Sequence, residues 1–346
     1  MPASISDKLL DWYSSHARDL PWRRSPRSGA SDPKPDPYRV WLSEVMLQQT
    51  TVAAVKPYFI TFTTRWPTVA ALAAADEADV MAAWAGLGYY SRARNLVLAA
   101  RVLAKSGSFP NTEAGLRALP GLGAYTAAAV AAIAFGQRAV VVDANVERVV
   151  ARLFALSEPL PGARKAIRAH ADAITPDQRA GDFAQAMMDL GATICTARAP
   201  RCLLCPLAES CQARRRGDPE RFPVKPAKKA KPLRRGKAFW CERANASGGE
   251  VWLVRRTGKG MLGGMRALPD DGWRAAGDGA GVPAGEPLGM VRHGFTHFDL
   301  ELAVERVPEP LGDGEWWPLV RLDEAGLPTL FAKAARLAIA STPATA

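Results

Sequence analysis

Four of the five cysteines fall within one short stretch of the chain. Cys195, Cys202, Cys205 and Cys211 form the pattern C-x6-C-x2-C-x5-C. Thiolates bind soft metals, and four of them can hold either a zinc ion or an iron–sulfur cluster. Zinc sites usually take two C-x2-C pairs, and one pair here has that spacing, so the pattern favours the cluster. The fifth cysteine, Cys241, is expected to be a small core residue.

A glycine-rich turn stands before a long apolar helix. The segment LPGLGAYT, residues 119–126, is followed by the helical run AAAVAAIAF. Gly121 and Gly123 permit a tight turn whose N–H groups face outward at a helix start, an anion site that suits a DNA phosphate. A lone G-x-G turn could merely connect two helices. Together with the preceding short helix NTEAGLRAL, it forms a helix–hairpin–helix motif.

Two carboxylates stand in contexts that could make them reactive. Glu44 lies in the apolar helical segment VWLSEVMLQQ. Burial there would raise its pKa and make it a proton donor, although a lone helical glutamate is more often exposed. Asp143 precedes the helical run ANVERV and is expected to cap that helix. A capping aspartate at the mouth of a cleft is also a fixed carboxylate that can face a developing cation.

Helices must position these groups, because residues 1 to about 212 carry apolar residues at helical spacing, interrupted at Gly and Pro. The short β-branched stretch Ala139–Val142 is expected to be a buried connection. Helices are predicted over Tyr38–Gln49, Ser91–Lys105, Ala124–Phe135, Asn145–Leu156 and Gly181–Ile194.

The chain changes character after residue 212. Residues 213–237 combine prolines with eleven basic and two acidic residues, 11 − 2 = +9 of the net +11, which predicts a basic linker. A basic balance suggests nucleic acid, but a solvated linker explains this run equally well. Strands are then predicted at Ala238–Cys241, Glu250–Arg256, Gly289–His293 and Phe298–Arg306, with a closing helix at Leu330–Ile339.

Length and composition set wider bounds. A chain of 346 residues is too long for one compact core, so two domains are expected. No apolar run approaches the ~18 residues of a membrane span. The N-terminal stretch MPASISDKLLDWYSSH lacks the order of a secretory signal, so we expect a cytoplasmic protein.

Taken together, the motifs resemble one family. VWLSEVMLQQT, WAGLGYYSRARNL, LPGLGAYTAAA, VVDANVERVVARLF and the four cysteines look like the endonuclease III superfamily over nearly residues 5–212, and within it like the adenine DNA glycosylases. The resemblance implies a mainly α fold: a helix–hairpin–helix glycosylase domain at 1–212 with a 4Fe-4S cluster loop at 195–211, then the basic Pro-rich linker at 213–237. It also implies a C-terminal α+β Nudix-like domain at 238–346 that recognises 8-oxoguanine.

The resemblance also implies roles for the reactive residues. Glu44 would protonate adenine at nitrogen 7 and later activate water, while Asp143 would stabilise the sugar cation with Tyr125 and Asn145 orienting it. Superfamily members that also cleave the strand carry a lysine at the position of Tyr125. A phenol cannot form an imine, so the enzyme is expected to be monofunctional and to leave an abasic site.

Further roles follow from matching motifs. Gln49 and Tyr89 resemble wedge residues that open the base stack, and Arg23 and Gln185 resemble adenine-pocket residues. Gly121 and Gly123 would contact the DNA backbone. The expected partner is double-stranded DNA with an A:8-oxoguanine or A:G mispair, bound by a monomer associated with the nucleoid.

The segment HGFTHF, residues 293–298, resembles the recognition loop of the Nudix-like domain. Phe295, Thr296 and His297 would therefore contact 8-oxoguanine. Thr296 replaces the family's usual serine; it keeps the hydroxyl and adds a methyl. The sequence lacks a Glu-rich Nudix box, so nucleotide pyrophosphatase activity is not expected.

Two other functions fit parts of the sequence. A mismatch glycosylase acting on thymine would share the fold, but such enzymes normally end after the cluster, whereas this chain continues through FTHF. A non-catalytic or redox-sensing iron–sulfur protein that binds DNA would need neither Glu44 nor Asp143.

Overall fold

A computed structural model describes residues 4–26, 35–226, 230–245, 248–256, 261–273 and 285–341. The chain divides into two compact units. The first comprises residues 1–75 and 95–227, and the second comprises 76–94 and 228–346. This division differs from the expected bounds of 1–212 and 238–346, because residues 76–94 group with the C-terminal part of the chain by their contacts.

The N-terminal two thirds of the chain is helical, as predicted. Short 3-10 turns at Cys202–Leu204 and Ala208–Ser210 shape the cysteine loop, and a third lies at Pro219–Arg221. The helices in the described residues 4–26 and 35–226 are α1 (Ile5–His16), α2 (Pro37–Leu47), α3 (Val52–Arg65), α4 (Val69–Ala74), α5 (Glu77–Ala83), α6 (Ser91–Ser106), α7 (Glu113–Arg117), α8 (Ala124–Phe135), α9 (Ala144–Leu153), α10 (Arg164–Ile174), α11 (Ala180–Thr193) and α12 (Gln212–Arg216).

Helix α8 lies at the centre of the first unit. Its residues 126–132 are all buried, and α2, α7 and α11 pack against it. Alanine side chains allow this close approach on several sides. A Cβ added at Gly181 of α11 would lie 2.5 Å from the carbonyl oxygen of Ala132, so the two helix backbones nearly touch. Helix α8 ends at Gly136, which adopts the left-handed conformation that favours glycine (φ 69°).

Side-chain caps fix the starts of the helices that matter for the site. Asp36 accepts a hydrogen bond from the Tyr38 backbone N–H and Pro37 occupies the first helical position, so α2 begins there. Asp143 caps α9 by accepting from the Val146 N–H at 2.7 Å, as predicted. Residues 139–141 of the expected buried connection are buried, and Val142, next to this cap, is partly buried.

The second unit contains two small sheets. In one, the order is β1-β6-β5, with β1 parallel and β5 antiparallel to β6. In the other sheet, β3 pairs with each of β2, β4 and β7, and all three pairs are antiparallel. The strands are β1 (Leu233–Trp240), β2 (Glu242–Arg243), β3 (Glu250–Arg255), β4 (Arg266–Ala267), β5 (Glu286–Gly294), β6 (Asp299–Arg306) and β7 (Gly314–Pro318), and the closing helix is α13 (Thr329–Ser341).

Helix α13 covers the first of these sheets. Its residues Phe331 and Ala334 are fully buried in one hydrophobic cluster with Trp240 and Leu302 of the strands. The four strands and the closing helix predicted for this part of the chain are confirmed. The predicted linker is shorter than expected, because α12 covers residues 212–216 and β1 already begins at Leu233. Residues 227–229 of that linker lie outside the described part.

None of the helices in the described ranges has both the length and the apolar composition needed to cross a bilayer.

Candidate active site and iron–sulfur centre

A cleft in the first unit is lined by residues of six helices, α2, α3, α8, α9, α10 and α11, and of the chain after α1. Glu44 of α2, Tyr125 of α8, Asp143 at the start of α9 and Met188 of α11 all line it. The helix–hairpin–helix turn contributes Gly121 and Gly123. The remaining lining residues are Arg18, Leu20, Trp22, Arg23, Leu47, Gln48, Gln49, Thr50, Thr51, Val52, Ala53, Ala124, Thr126, Val142, Ala144, Asn145, Glu147, Arg164, Ile167, Arg168 and Ala192.

Glu44 is a buried carboxyl at the wall of this cleft, 5% exposed. The Tyr125 hydroxyl donates a hydrogen bond of 2.5 Å to its Oε2. Burial raises the pKa of Glu44 to about 7, and the charge of Asp143 adds to the rise, although the Tyr125 hydrogen bond and Arg23 act to lower it. Glu44 therefore exchanges a proton near neutral pH, as a general acid must.

Tyr125 is a neutral hydrogen-bond donor. Burial raises its pKa well above 10, and the adjacent carboxyl of Glu44 raises it further. The phenol therefore keeps its proton at neutral pH and can orient Glu44. No amine lies at this position of the hairpin, since the residue is tyrosine.

The carboxylate of Asp143 is fixed by hydrogen bonds from its own helix. Asn145 Nδ2 donates to Asp143 Oδ2 at 2.8 Å, in addition to the capping bond. Asn145 in turn accepts from Arg148 Nη2 at 2.9 Å, and Arg148 Nε donates to the Cys195 carbonyl at 2.7 Å. A continuous chain of hydrogen bonds thus joins the cleft carboxylate to the first residue of the cysteine loop. Gly191 allows this contact, because a Cβ there would lie 2.6 Å from Asn145 Cβ.

The hairpin turn has the geometry expected of a phosphate contact. Gly121 adopts a left-handed conformation (φ 76°), and a Cβ there would lie 2.5 Å from Asn95 Cβ. Gly123 precedes α8 and has nothing near its missing Cβ, so its backbone faces open space at the helix start. Gln49, a predicted wedge residue, lines the same cleft and also has a left-handed backbone (φ 59°), which is uncommon outside glycine.

The four predicted ligands line one cavity in the first unit. Cys195, Cys202, Cys205 and Cys211 surround it together with Arg152. In the described part of the chain, no three His, Cys, Asp or Glu side chains are grouped as for a single metal ion. Four thiols around a shared cavity form the donor set of a cubane cluster.

Arg152 binds the backbone of the cysteine loop. It is 2% exposed, and its Nη1 donates to Cys195 Sγ at 3.3 Å. It also donates to the carbonyls of Thr196, Ala197 and Phe222 at 2.7, 3.1 and 3.0 Å. A buried guanidinium beside the cysteine sulfurs would provide positive charge for an anionic cluster, and it holds the loop backbone in place.

The recognition-loop residues lie together in the second unit. Phe295, Thr296 and His297 line a cavity with Tyr89, which belongs to the same unit. The turn closes through a 2.8 Å hydrogen bond from the Phe295 N–H to the Phe298 carbonyl. The hydroxyls of Tyr89 and Thr296 are 3.4 Å apart. Thr296 and His297 are exposed.

Tyr89 has a left-handed backbone (φ 49°), as Gln49 does. The guanidinium of Arg92 lies between the rings of Tyr89 and Trp84, 5.6 and 5.2 Å from their centroids. Arg92 also donates to the carbonyls of Leu87 and Gly88. This arrangement fixes the loop that presents the Tyr89 ring, which is 47% exposed.

The cleft includes residues that the sequence did not single out. Met188 lines it, whereas Gln185, a predicted pocket residue, is buried and donates to the Gly181 carbonyl of its own helix. Arg18 and Arg23 both form ion pairs with Asp189, a residue not recognised from the sequence. Their pairing depends on chain segments far apart in sequence, which no local pattern indicates.

Three family profiles match separate parts of the chain. The profile of the HhH-GPD superfamily of base excision DNA repair proteins matches residues 42–174. The iron–sulfur binding domain of endonuclease III matches 195–211, and a NUDIX domain matches 241–337. These matches confirm the predicted glycosylase fold and Nudix-like domain. They also identify the cavity of the four cysteines as the site of a 4Fe-4S cluster.

Solved structures share the fold. A thermostable thymine-DNA glycosylase superposes with a TM-score of 0.54 and 30% identity, covering 61% of this chain and 95% of that one. Endonuclease III in a non-covalent DNA complex gives a TM-score of 0.51 and 24% identity, covering 61% and 94%. Fold and cluster site together define a member of the helix–hairpin–helix glycosylase superfamily.

Curated relatives narrow this assignment. The chain is 44% identical over 244 residues to the adenine DNA glycosylase of Mycobacterium tuberculosis (strain ATCC 25618 / H37Rv), covering 69% of this chain and 74% of the relative. It therefore belongs to the adenine DNA glycosylase family. The Homo sapiens and Arabidopsis thaliana relatives are 37% and 39% identical over 77% and 75% of this chain. The chain spans about half the length of these two, 57% and 46%.

Replacing Arg152 by methionine should release the cysteine loop. The substitution leaves three carbonyls without their donor, at about 1–3 kcal/mol each. We expect iron per chain and visible absorbance to fall well below those of the wild type, and the protein to unfold at a lower temperature. Arg221→Met is the matched control, since its side chain is 69% exposed beside Asp218. Full iron content in Arg152→Met would contradict the supporting role.

The neutral form of Glu44 should stabilise the protein at low pH. Its folded pKa of about 7 exceeds the ordinary value of 4.5, so this stabilisation is present below about 4.5 and is lost as pH rises through 7. Glu44→Gln is neutral throughout and should gain about 3 kcal/mol relative to wild type across that window.

Thermal unfolding of both proteins from about pH 5 to about pH 8 measures this difference. The exposed Glu158→Gln is the control, and its offset from wild type should stay constant. An equally constant offset for Glu44→Gln would show that the buried carboxyl titrates at an ordinary pKa.

Proposed function

We propose that the chain is a monofunctional adenine DNA glycosylase. It hydrolyses the N-glycosidic bond of adenine paired with 8-oxoguanine or guanine in double-stranded DNA. The observation that carries the proposal is the pair of carboxyl groups in one cleft. Glu44 is buried, with a pKa of about 7, and Asp143 is fixed at a helix start. The similar proteins from Homo sapiens and Mycobacterium tuberculosis are adenine DNA glycosylases, which supports adenine as the excised base.

The substrate adenine has to leave the base stack to reach these groups. Gly121 and Gly123 present backbone N–H groups to a phosphate, and Gln49, on its left-handed backbone, fills the space that the adenine vacates. Arg23, which lines the cleft, is assigned to the adenine pocket. Gln185 is buried in α11, a helix of the cleft wall, and is not assigned to that pocket.

Protonated Glu44 then donates to nitrogen 7 of adenine. The bond between C1′ and nitrogen 9 breaks with its electron pair on the base, which leaves as neutral adenine. The cation that forms on the sugar faces the carboxylate of Asp143, held by Asn145. Ionised Glu44, oriented by Tyr125, accepts a proton from the attacking water, and this returns Glu44 to its acid form. The product is an abasic site.

Strand cleavage is not part of the proposed reaction. Cleavage by a Schiff base needs an amine that attacks C1′, and the hairpin presents the phenol of Tyr125 instead. Recognition of the opposite base is assigned to the second unit, where Phe295, Thr296, His297 and Tyr89 line one cavity. The Thr296 hydroxyl can donate to or accept from the oxidised base.

A duplex assay tests the reaction and the base specificity together. Labelled duplexes with A:8-oxoguanine, A:G, T:G and A:T are incubated with the protein, and each sample is divided and treated with or without alkali. We expect breaks at adenine in the first two duplexes, after alkali alone. Breaks without alkali, or borohydride trapping of a covalent complex, would refute monofunctional action. Breaks at T:G alone would favour thymine excision, the activity named for one structural neighbour.

Glu44→Gln tests the acid role directly. The variant should bind the A:8-oxoguanine duplex as wild type does and release adenine about 10²–10⁴-fold more slowly, because the amide cannot protonate the base. Single-turnover rates and a gel-shift titration measure the two properties. Glu158→Gln, exposed and outside the set of residues that lines the cleft, should keep the wild-type rate. A normal rate for Glu44→Gln would remove Glu44 from the acid role.

A further inference from the structure

Asp189 of α11 is a fully buried carboxylate that the proposed reaction does not use. Arg18 Nε donates to its Oδ1 at 2.6 Å, and the Arg18 backbone N–H donates to its Oδ2 at 3.1 Å. Arg23 Nη1 donates to Oδ2 at 2.7 Å. Both arginines follow α1 and line the cleft. One buried carboxylate therefore binds two cationic side chains of the base pocket.

The position of Arg23 makes this pairing significant. Its side chain is 8% exposed, and its charge acts on Glu44 to lower that residue's pKa. A buried guanidinium needs an anionic partner. Besides Asp189, the carboxyl whose charge acts on Arg23 is that of Glu44. A Glu44 that replaced Asp189 as the partner of Arg23 would be ionised and unable to donate a proton.

We propose that Asp189 is a positioning residue of the reaction, one that binds Arg23 and Arg18 at the cleft wall and keeps the Arg23 charge from ionising Glu44. This role rests on the proposed function, in which Glu44 is the acid. Asp189 lies on α11, the helix that also supplies Met188 to the cleft and Gly191 to the contact with Asn145. One helix therefore positions groups near the acid Glu44 and groups near Asp143, which faces the sugar cation.

Charged and titratable groups around the two carboxyls define the electrostatics. Tyr125, Arg23 and Asp143 act on Glu44 from α8, the chain after α1 and the start of α9. Asp189 is surrounded by Arg18 and Arg23, which follow α1, and by Tyr13 of α1. Burial raises the pKa of Tyr13 to about 12, so Tyr13 stays neutral. Removing the Asp189 charge therefore leaves Arg23, the cation that acts on Glu44, without its ion-pair partner.

The test compares Asp189→Asn, Arg18→Gln and the control Asp182→Asn. Asp182 lies on the same helix, half-buried, paired with Arg179 and outside the cleft lining. Single-turnover adenine release from the A:8-oxoguanine duplex is measured against pH. Asp189→Asn should be about 100-fold slower at neutral pH, because a displaced pocket group costs roughly that factor. The alkaline limb of its pH–rate profile should move to lower pH, since the pKa of Glu44 falls in this variant.

Arg18→Gln should move the alkaline limb the opposite way. It removes a positive charge and leaves Asp189 to Arg23 alone, so the Glu44 pKa rises. Asp182→Asn should match wild type. A rate loss with an unmoved limb in Asp189→Asn would reduce Asp189 to a structural role and overturn the proposal. If Asp189→Asn does not fold, Arg18→Gln decides, and an unmoved limb there overturns it as well.

A second readout is independent of adenine release. The stability gained by Glu44→Gln grows as pH rises above about 4.5 and stops growing at the folded pKa of Glu44. The midpoint of this levelling-off therefore reports the Glu44 pKa, and it can be measured with and without Asp189→Asn. This midpoint should fall in the Asp189→Asn background. If wild type releases no adenine while the midpoint falls, the proposed function fails and the control of Glu44 by Asp189 stands. If the enzyme is active and the midpoint is unchanged, the proposed role of Asp189 is overturned and the proposed function stands.

Discussion

The Glu44 carboxyl is buried in a protein interior and still has to hold a proton near neutral pH. Burial favours the neutral form, but Arg23 and the Tyr125 hydroxyl both favour the charged form. The result is a pKa of about 7, a balance that depends on every neighbouring charge being held in place. Three separate elements supply those neighbours, so their relative packing determines the chemistry of this one group.

Small side chains make that packing possible. Alanines along α8 and the glycines of α11 bring the backbones of neighbouring helices close together. Tyr125 at the start of α8 can then reach Glu44 on α2, and Gly191 of α11 can contact Asn145 of α9. From Asn145 the hydrogen bonds continue through Arg148 to Cys195, so the iron–sulfur loop and the cleft share one rigid framework.

The sequence predicted helix bounds and burial, because these depend on residues close together in the chain. Helix α8 begins and ends at glycines and was predicted with its correct bounds, and the apolar context of Glu44 correctly indicated burial. Long-range pairing was not readable. Asp189 and Arg18 are 171 positions apart, so no spacing rule joins them. The basic run before Trp240 resembled a linker, yet part of it forms β1, because strand pairing with β6 outweighs its composition.

Residues 76–94 belong by their contacts to the unit formed by the C-terminal part of the chain. Gly326 lies against Ala82, and Arg94 donates to the Gly263 carbonyl. The Nudix-like part is consequently not a module that can be exchanged by cutting the chain once. Recombination between family members, in evolution or in the laboratory, has to carry the segment around Tyr89 along with the C-terminal domain. Otherwise the loop that bears Tyr89 faces a surface it was not selected to fit.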